Sequence, residues 1–205
     1  MPSIYDLKPA FQRRLQPAVD GLARAGVTAN QVTVAALVLS AAAGTLVALR
    51  PEAAWPLWLY PPVLLLRMAL NAVDGQLARQ HGQASPLGAL LNELGDVAAD
   101  AVLYLPLALV PQMAGLPAAL LVVLVVLAAL TEMAGVLGQT IGASRRYDGP
   151  MGKSDRAFVL ALLAVLLAAG PPPSRWLGVF MALVAALAAL TVVHRVRRAL
   201  AEARA

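Results

Sequence analysis

The chain has 205 residues, of which 60% are hydrophobic, 13% are charged and none is cysteine, with a formal net charge of +5. A soluble domain carries about 25% charged residues and under half apolar ones, so this composition excludes an ordinary soluble enzyme, a disordered chain and a coiled coil. The missing cysteine also excludes a disulfide framework and a thiolate-held metal.

About 20 apolar residues cross a bilayer core, so the apolar content supplies roughly six spanning helices. The expected fold class is an all-α integral membrane domain covering residues 1–205. An N-terminal amphipathic helix within 1–28 precedes a six-helix bundle within 29–205. Ile4, Leu7, Phe11, Leu15, Val19 and Leu22 recur at three- and four-residue intervals, with Lys8, Arg13, Arg14 and Arg24 on other faces. This pattern suits a helix lying in the membrane interface and equally one packed on the bundle. Pro9 and Pro17 shorten or kink it. Its charged start is not that of a cleavable signal peptide.

The six expected spans follow in order: Gln31 to Leu49, Pro56 to Arg79, Pro86 to Val110, Pro117 to Ile141, Asp155 to Ala169, and Trp176 to Val196. Their apolar runs lack the alternation of a β-barrel. Pro and Gly clusters separate them, most clearly Gly170-Pro171-Pro172-Pro173. In this arrangement thirteen of the 16 Lys and Arg residues fall on the side of the termini, and only Arg50 and Arg175 on the other. The positive-inside bias then places both termini in the cytoplasm of a bacterial cell, with the chain multi-pass in its inner membrane. The basic balance is this topological bias. No aromatic platform accompanies it, so nucleic acid is not an expected partner.

Ionisable residues inside spans are expensive and mark sites. Arg67, Asn71, Asp74 and Ala78 fall within about 60° of one helix face, and Asn92, Glu93, Asp96 and Asp100 within about 100° of the next. Facing each other, these stripes form an oxygen-rich acidic cluster in the cytoplasmic half of the bilayer, suited to Mg²⁺, Mn²⁺ or Ca²⁺. Arg67, Asp100 and Glu132 each lie about 18 Å from the cytoplasmic ends of their helices. An ion pair from Arg67 to Asp100 or Glu132 is therefore expected.

These residues carry a resemblance. The segment Asn71-Ala72-Val73-Asp74-Gly75-Gln76-Leu77-Ala78-Arg79, eight further residues, then Gly88-Ala89-Leu90-Leu91-Asn92-Glu93-Leu94-Gly95-Asp96 resembles the CDP-alcohol phosphatidyltransferase signature. That signature reads D-x-x-D-G-x-x-A-R, eight residues, G-x-x-x-D-x-x-x-D. Six of its eight positions match with every spacing intact; Asn71 and Asn92 replace aspartates. The segment from Gly26 to Thr33 also resembles the family's T-P-N-x-x-T approach to the first span, with Ala29 in place of proline.

The resemblance implies an enzyme of phospholipid synthesis. An alcohol attacks the lipid-side phosphorus of CDP-diacylglycerol, and CMP leaves. It implies a divalent metal, Mg²⁺ or Mn²⁺, on Asp74 and Asp96 with Asn71 and Asn92, and Glu93 or Asp100 as further candidates. Gly75, Ala78, Arg79 and Gly88 would receive the nucleotide and its phosphates, and Asp96 would act as base. Lys153 and Arg156, where the family has a basic segment, would meet a phosphate of donor or acceptor. A homodimer is the family's usual state. Two Asn in place of Asp leave three arrangements open: an altered two-metal site, a one-metal site, or a catalytically weakened lipid-binding relative. The acceptor is not specified. A small cation-coupled transporter is a further alternative, although the outer ends of the spans offer no polar path.

Three lesser readings complete the sequence. Arg145 and Arg146 read as topological charges. His81 and His194 read as solvated. Gly138 and Gly142 read as a close helix-packing step.

Overall fold

The computed structural model describes residues 8–170 and 175–204. Ile4 and Leu7 of the expected N-terminal stripe, and Pro171 to Pro173, lie outside these. Every regular element among the described residues is helical. In chain order these are α1 (Lys8–Arg24), α2 (Ala29–Leu49), the short α3 (Trp55–Trp58), α4 (Tyr60–Gln80), α5 (Pro86–Tyr104), α6 (Leu116–Leu137), α7 (Lys153–Ala168) and α8 (Arg175–Glu202). Short 3₁₀ turns follow α5 at Leu105–Leu109 and Pro111–Met113, and extend α6 at Gly138–Ile141.

Four stretches are long and apolar enough to cross a membrane: Ala29–Leu49, Trp55–Gln80, Leu116–Ile141 and Arg175–Glu202. The sequence leads to an expectation of six. The other two expected spans are present as helices, but α5 carries Asn92, Glu93, Asp96 and Asp100, and α7 is 16 residues long. At 1.5 Å per residue α7 is about 24 Å long, short of the hydrocarbon thickness.

Local chemistry sets the helix ends. Thr28 and Gln31 form a capping box at α2: Gln31 N donates to Thr28 Oγ1 at 3.2 Å and Thr28 N to Gln31 Oε1 at 2.9 Å. Ser85 caps α5 by accepting from Gly88 N at 3.0 Å. Pro61 and Pro62 occupy the first turn of α4, where missing N–H groups do no harm, and so separate it from α3. Pro106 has no N–H to offer the Val102 carbonyl four residues earlier, and α5 ends at Tyr104.

The main apolar core joins α2, α4, α6, α7 and α8 through residues such as Val47, Leu64, Leu121, Leu160 and Met181. A second, smaller cluster lies where α1 meets α2 and α4, built on Val19, Val32, Val73 and Leu77 with Leu15 and Leu22 against it. The apolar stripe of α1 is thus packed on the helix that carries the signature, while Arg13, Arg14 and Arg24 stay exposed. His81 at the end of α4 lies 3.3 Å from Asp20 of α1, so it is tied to that helix and not simply solvated. Exposed leucines and valines spread over the outer faces of α2, α4, α5, α6 and α8, as in a bundle whose outer solvent is hydrocarbon.

Candidate active site

The two polar stripes do meet. Asp74 of α4 is buried; its Oδ2 accepts from Thr33 Oγ1 of α2 at 2.8 Å and lies 3.5 Å from Asn92 Nδ2 of α5. Its Oδ1 is buried with no hydrogen-bond partner among the described residues. Asp96 of α5 accepts from Asn71 Nδ2 of α4 at 3.0 Å, at Oδ1. Lys153, the first residue of α7, pairs with the same oxygen. Among the described residues, Asp74 therefore has one oxygen engaged and the other buried without a partner, and the side-chain contacts of Asp96 all fall on its Oδ1.

That arrangement fits a hard cation. A buried carboxylate oxygen with no donor is costly unless something positive faces it. The Asn71 and Asn92 carbonyl oxygens are further oxygen donors of the right kind. Among the described residues, no group of three or more acidic, His or Cys side chains gathers to hold a metal. The donor set is two carboxylates with two amides, enough charge to neutralise one divalent ion.

The two extra candidate ligands, Glu93 and Asp100, are each engaged by arginine. Glu93 forms a two-pronged ion pair with Arg145, with Arg145 Nη2 donating to Oε2 at 2.9 Å. Asp100 accepts from Arg67 Nη1 at 2.6 Å and from Arg156 Nη2 at 3.3 Å. Of the two partners considered for Arg67, the structure selects Asp100. Glu132 instead pairs with Arg156 at 3.0 Å and with Arg195 at 3.5 Å.

Arg156 also departs from expectation. Set beside Lys153 as a phosphate ligand, it is 0% exposed and internal to the bundle. Its Nη1 donates to Thr131 Oγ1 at 2.9 Å and its Nη2 to Glu132 Oε1 at 3.0 Å. Lys153, one turn earlier, reaches Asp96 at the signature. The two cations expected together are thus divided between the site and the interior.

Arg79 lies at the exposed end of α4 with no ion-pair partner among the described residues. Its guanidinium folds back over Gly75, so that a Cβ at Gly75 would come within 3.1 Å of Arg79 Nη1. Gly88 is similarly confined, its hypothetical Cβ falling 2.8 Å from Asn30 Oδ1. Ala78, one residue before Arg79, packs against the small α1–α2–α4 cluster. Gln83 fastens the loop beside these groups by accepting from Ala29 N at 2.6 Å.

Several functional-looking contacts lie beyond the expectations. Arg145 and Arg146, expected as topological charges, are both engaged: Arg145 with Glu93, and Arg146 with Asp148 at 2.8 Å and Glu202 at 2.6 Å. The loop carboxyl of Asp148 is held below the usual range, chiefly by its hydrogen bond from Arg146. Arg195 Nη1 donates to the Thr131 carbonyl at 2.5 Å. The Thr131-Glu132 pair, polar residues inside an apolar run, is the sequence signal that points to this network. Gly138 is buried against α8 and the following loop, whereas Gly142 has φ +82° and terminates the 3₁₀ turn. The expected packing step is therefore half packing and half turn, since only glycine takes that φ freely.

Comparison with known proteins gives the family and the fold. The profile of the CDP-alcohol phosphatidyltransferase family matches residues 26–196. The inner membrane protein YnbA of Escherichia coli (strain K12) is 42% identical over 200 residues, covering 97% of this chain and 96% of that one. The archaetidylinositol phosphate synthase of Aeropyrum pernix is 29% identical over 167 residues, 78% of each chain. Among solved structures, the Mycobacterium tuberculosis phosphatidylinositol phosphate synthase with CDP-DAG bound superposes with a TM-score of 0.75 at 21% identity, covering 91% of this chain and 94% of that one. The same enzyme in complex with manganese and citrate gives 0.73 at 21% identity, over 90% and 88% of the two chains. At such identity the structural likeness shows the fold.

Proposed function

The chain belongs to the CDP-alcohol phosphatidyltransferase family, and from that premise we propose that it transfers a phosphatidyl group from CDP-diacylglycerol to an alcohol, releasing CMP. The observation that carries this reading is Asp74, whose Oδ1 is buried without a partner among the described residues while Thr33 fixes its Oδ2, beside Asp96, which Asn71 fixes through Oδ1. Asp74 and Asp96, with the carbonyl oxygens of Asn71 and Asn92, would hold Mg²⁺ or Mn²⁺. When bound, that ion supplies Lewis-acid polarisation and neutralises the diphosphate.

The remaining work falls to the chain's own groups. Arg79 offers a planar fork to the diphosphate, and no other acidic group competes for it among the described residues. Gly75, Ala78 and Gly88 keep α4 and the start of α5 slim where the nucleotide approaches. Asp96 takes the acceptor's hydroxyl proton as that oxygen bonds to the lipid-side phosphorus and the bond to CMP breaks. Asn71 fixes the orientation of Asp96 through Oδ1, leaving Oδ2 for the proton. Thr33 fixes Asp74 through Oδ2, leaving Oδ1 for the metal. Asn cannot replace the charge of two aspartates, so the site is read as a one-metal variant.

The membrane arrangement we propose has six spans, α5 and α7 included, with both termini cytoplasmic. The α1 helix lies in the cytoplasmic interface, where it packs beside the signature of α4. The chain would sit as a homodimer in a bacterial inner membrane.

The test is direct. Purified full-length protein with CDP-diacylglycerol, pooled alcohols and Mg²⁺ or Mn²⁺ should release CMP and form a phosphodiester lipid, and chelation should stop both. No CMP with either ion would leave the weakened, lipid-binding alternative in its place.

A further inference from the structure

Five cations around the site are each engaged by a carboxylate, sharing four carboxylates among them. Arg67 is held by Asp100, Arg145 by Glu93, Lys153 by Asp96, Arg156 by Asp100 and Glu132, and Arg195 by Glu132. Three of the five are sealed away: Arg67 is 3% exposed, Arg156 0% and Arg195 2%. Lys153 and Arg145, whose side chains are 31% and 24% exposed, are the two that a ligand can reach, and each already holds a carboxylate.

Resting on the transferase reading above, we propose that the acceptor is an alcohol that carries no phosphate group, and that Glu93 and Glu132 are the residues that exclude a phosphate. A phosphate dianion is recognised by several converging charged donors, usually the paired N–H groups of a guanidinium fork. Here Glu93 occupies the fork of Arg145 from both prongs. Glu132 turns Arg156 and Arg195 inward. Lys153 keeps ammonium protons beyond its pair with Asp96, and the buried donors left over are the Nε–H groups of Arg67, Arg145 and Arg156. These are single groups on separate side chains, each enclosed by protein, and they make no fork. A phosphorylated alcohol entering beside Asp96 would have to compete with Glu93 and Glu132 for Arg145, the cation that both carboxylates already contact. An uncharged hydroxyl compound meets no such penalty. Arg79 stays available for the donor's diphosphate.

Two measurements test this. The first compares CMP release by wild-type protein with matched acceptors, glycerol against glycerol 3-phosphate and inositol against inositol 1-phosphate, with CDP-diacylglycerol and Mn²⁺. The unphosphorylated member of at least one pair should react tenfold or more faster; preference for the phosphorylated member in either pair overturns the proposal. The second does not depend on turnover. The unfolding midpoint in detergent, with saturating CDP and Mn²⁺, is followed as inorganic phosphate is added to wild type and to Glu93→Gln. The half-buried Glu93–Arg145 pair is chosen because its loss leaves the Arg67, Arg156 and Arg195 pairs in place. Wild type should show no rise, and Glu93→Gln, with the Arg145 fork released, should show one. A rise in wild type, or none in the variant, overturns the assignment. If no alcohol yields CMP, the transferase reading fails on its own, and the phosphate titration still decides whether this site admits a phosphate.

Discussion

Arg67 Nη1 donates to Asp100 Oδ1 at 2.6 Å, deep in the bundle, while its Nη2 reaches the Asp96 carbonyl at 3.2 Å. One guanidinium therefore spans α5 from the residue proposed as base to the residue one turn further in. Asp100 in turn holds Arg156 of α7, and Arg156 holds Glu132 of α6. The polar interior is a chain of alternating charges that starts at the signature and ends at α8. It fixes the spacing of α4 and α5, on which the geometry of Asp74 and Asp96 depends.

The coupling between Arg67 and Asp100 should be measurable. Arg67→Met or Asp100→Asn alone strands a buried charge and should lower stability in detergent by about 3–5 kcal/mol, as in other broken buried pairs. Combined, the two changes should be less harmful than the sum, by about 1–3 kcal/mol. The cycle of Arg67→Met with Glu132→Gln should show a smaller coupling, since two residues stand between them. A larger coupling in that second cycle would assign Arg67 to the wrong carboxylate.

Asp96 is expected to be indispensable for turnover and dispensable for folding. Asp96→Asn keeps the shape and an oxygen that accepts from Asn71 Nδ2, but cannot take a proton as a base. CMP release should fall at least about 100-fold, the lower bound of a positioned base's contribution. Size-exclusion behaviour and the unfolding midpoint should stay near wild type. Undiminished CMP release from a folded Asp96→Asn protein would remove Asp96 from the base role.

The metal stoichiometry follows from Asn71 and Asn92. In wild type, two carboxylates balance one divalent ion. Asn71→Asp/Asn92→Asp introduces two further negative charges, one of them where Asn71 Nδ2 now lies 3.0 Å from Asp96 Oδ1. Without metal that crowding of like charge should destabilise the fold; with Mn²⁺ it should be relieved and a second ion should bind. Titration by calorimetry or Mn²⁺ paramagnetic resonance should read one ion in wild type and two in the variant. Two ions in both proteins would refute the one-metal reading.

What was legible in the sequence was set by local spacing. The signature fixes its own register on α4 and α5, and the helix ends follow capping residues such as Thr28 and Ser85 that act within three residues. Depth was also legible: Arg67, Asp100 and Glu132 do lie at comparable levels, because rise per residue is constant. Azimuth across helices was not. Whether Glu132 faces α4 or α7 and α8 depends on how α6 rotates in the bundle, which a local repeat does not encode. The same holds for Arg145, a loop residue whose partner Glu93 is 52 positions away. A span count from composition also treats all apolar stretches alike, whereas α5 trades apolar length for the polar stripe that carries the site.

A tight approach between α2 and α5 predicts the last effect. Gly44 of α2 lies against the Val102 carbonyl of α5, where any Cβ would collide with the carbonyl oxygen. That carbonyl has no helical donor, because residue 106 is proline and has no N–H. The absent side chain at Gly44 lets the two backbones close, which small residues commonly do between membrane helices. Thr33, on the same helix α2, donates to Asp74 at 2.8 Å, so the α2–α5 spacing bears on the site eleven residues away. Gly44→Ala removes no charge and no ligand, yet it must push α2 away from α5 or bend one of them. We expect a loss of about 1–3 kcal/mol in stability, the range for overpacked contacts. CMP release should also fall, with a weaker apparent Mn²⁺ affinity, as Thr33 and Asn92 shift relative to Asp74. Gly44→Ala with wild-type stability and wild-type metal affinity would mean that the α2–α5 contact does not set the geometry of Asp74.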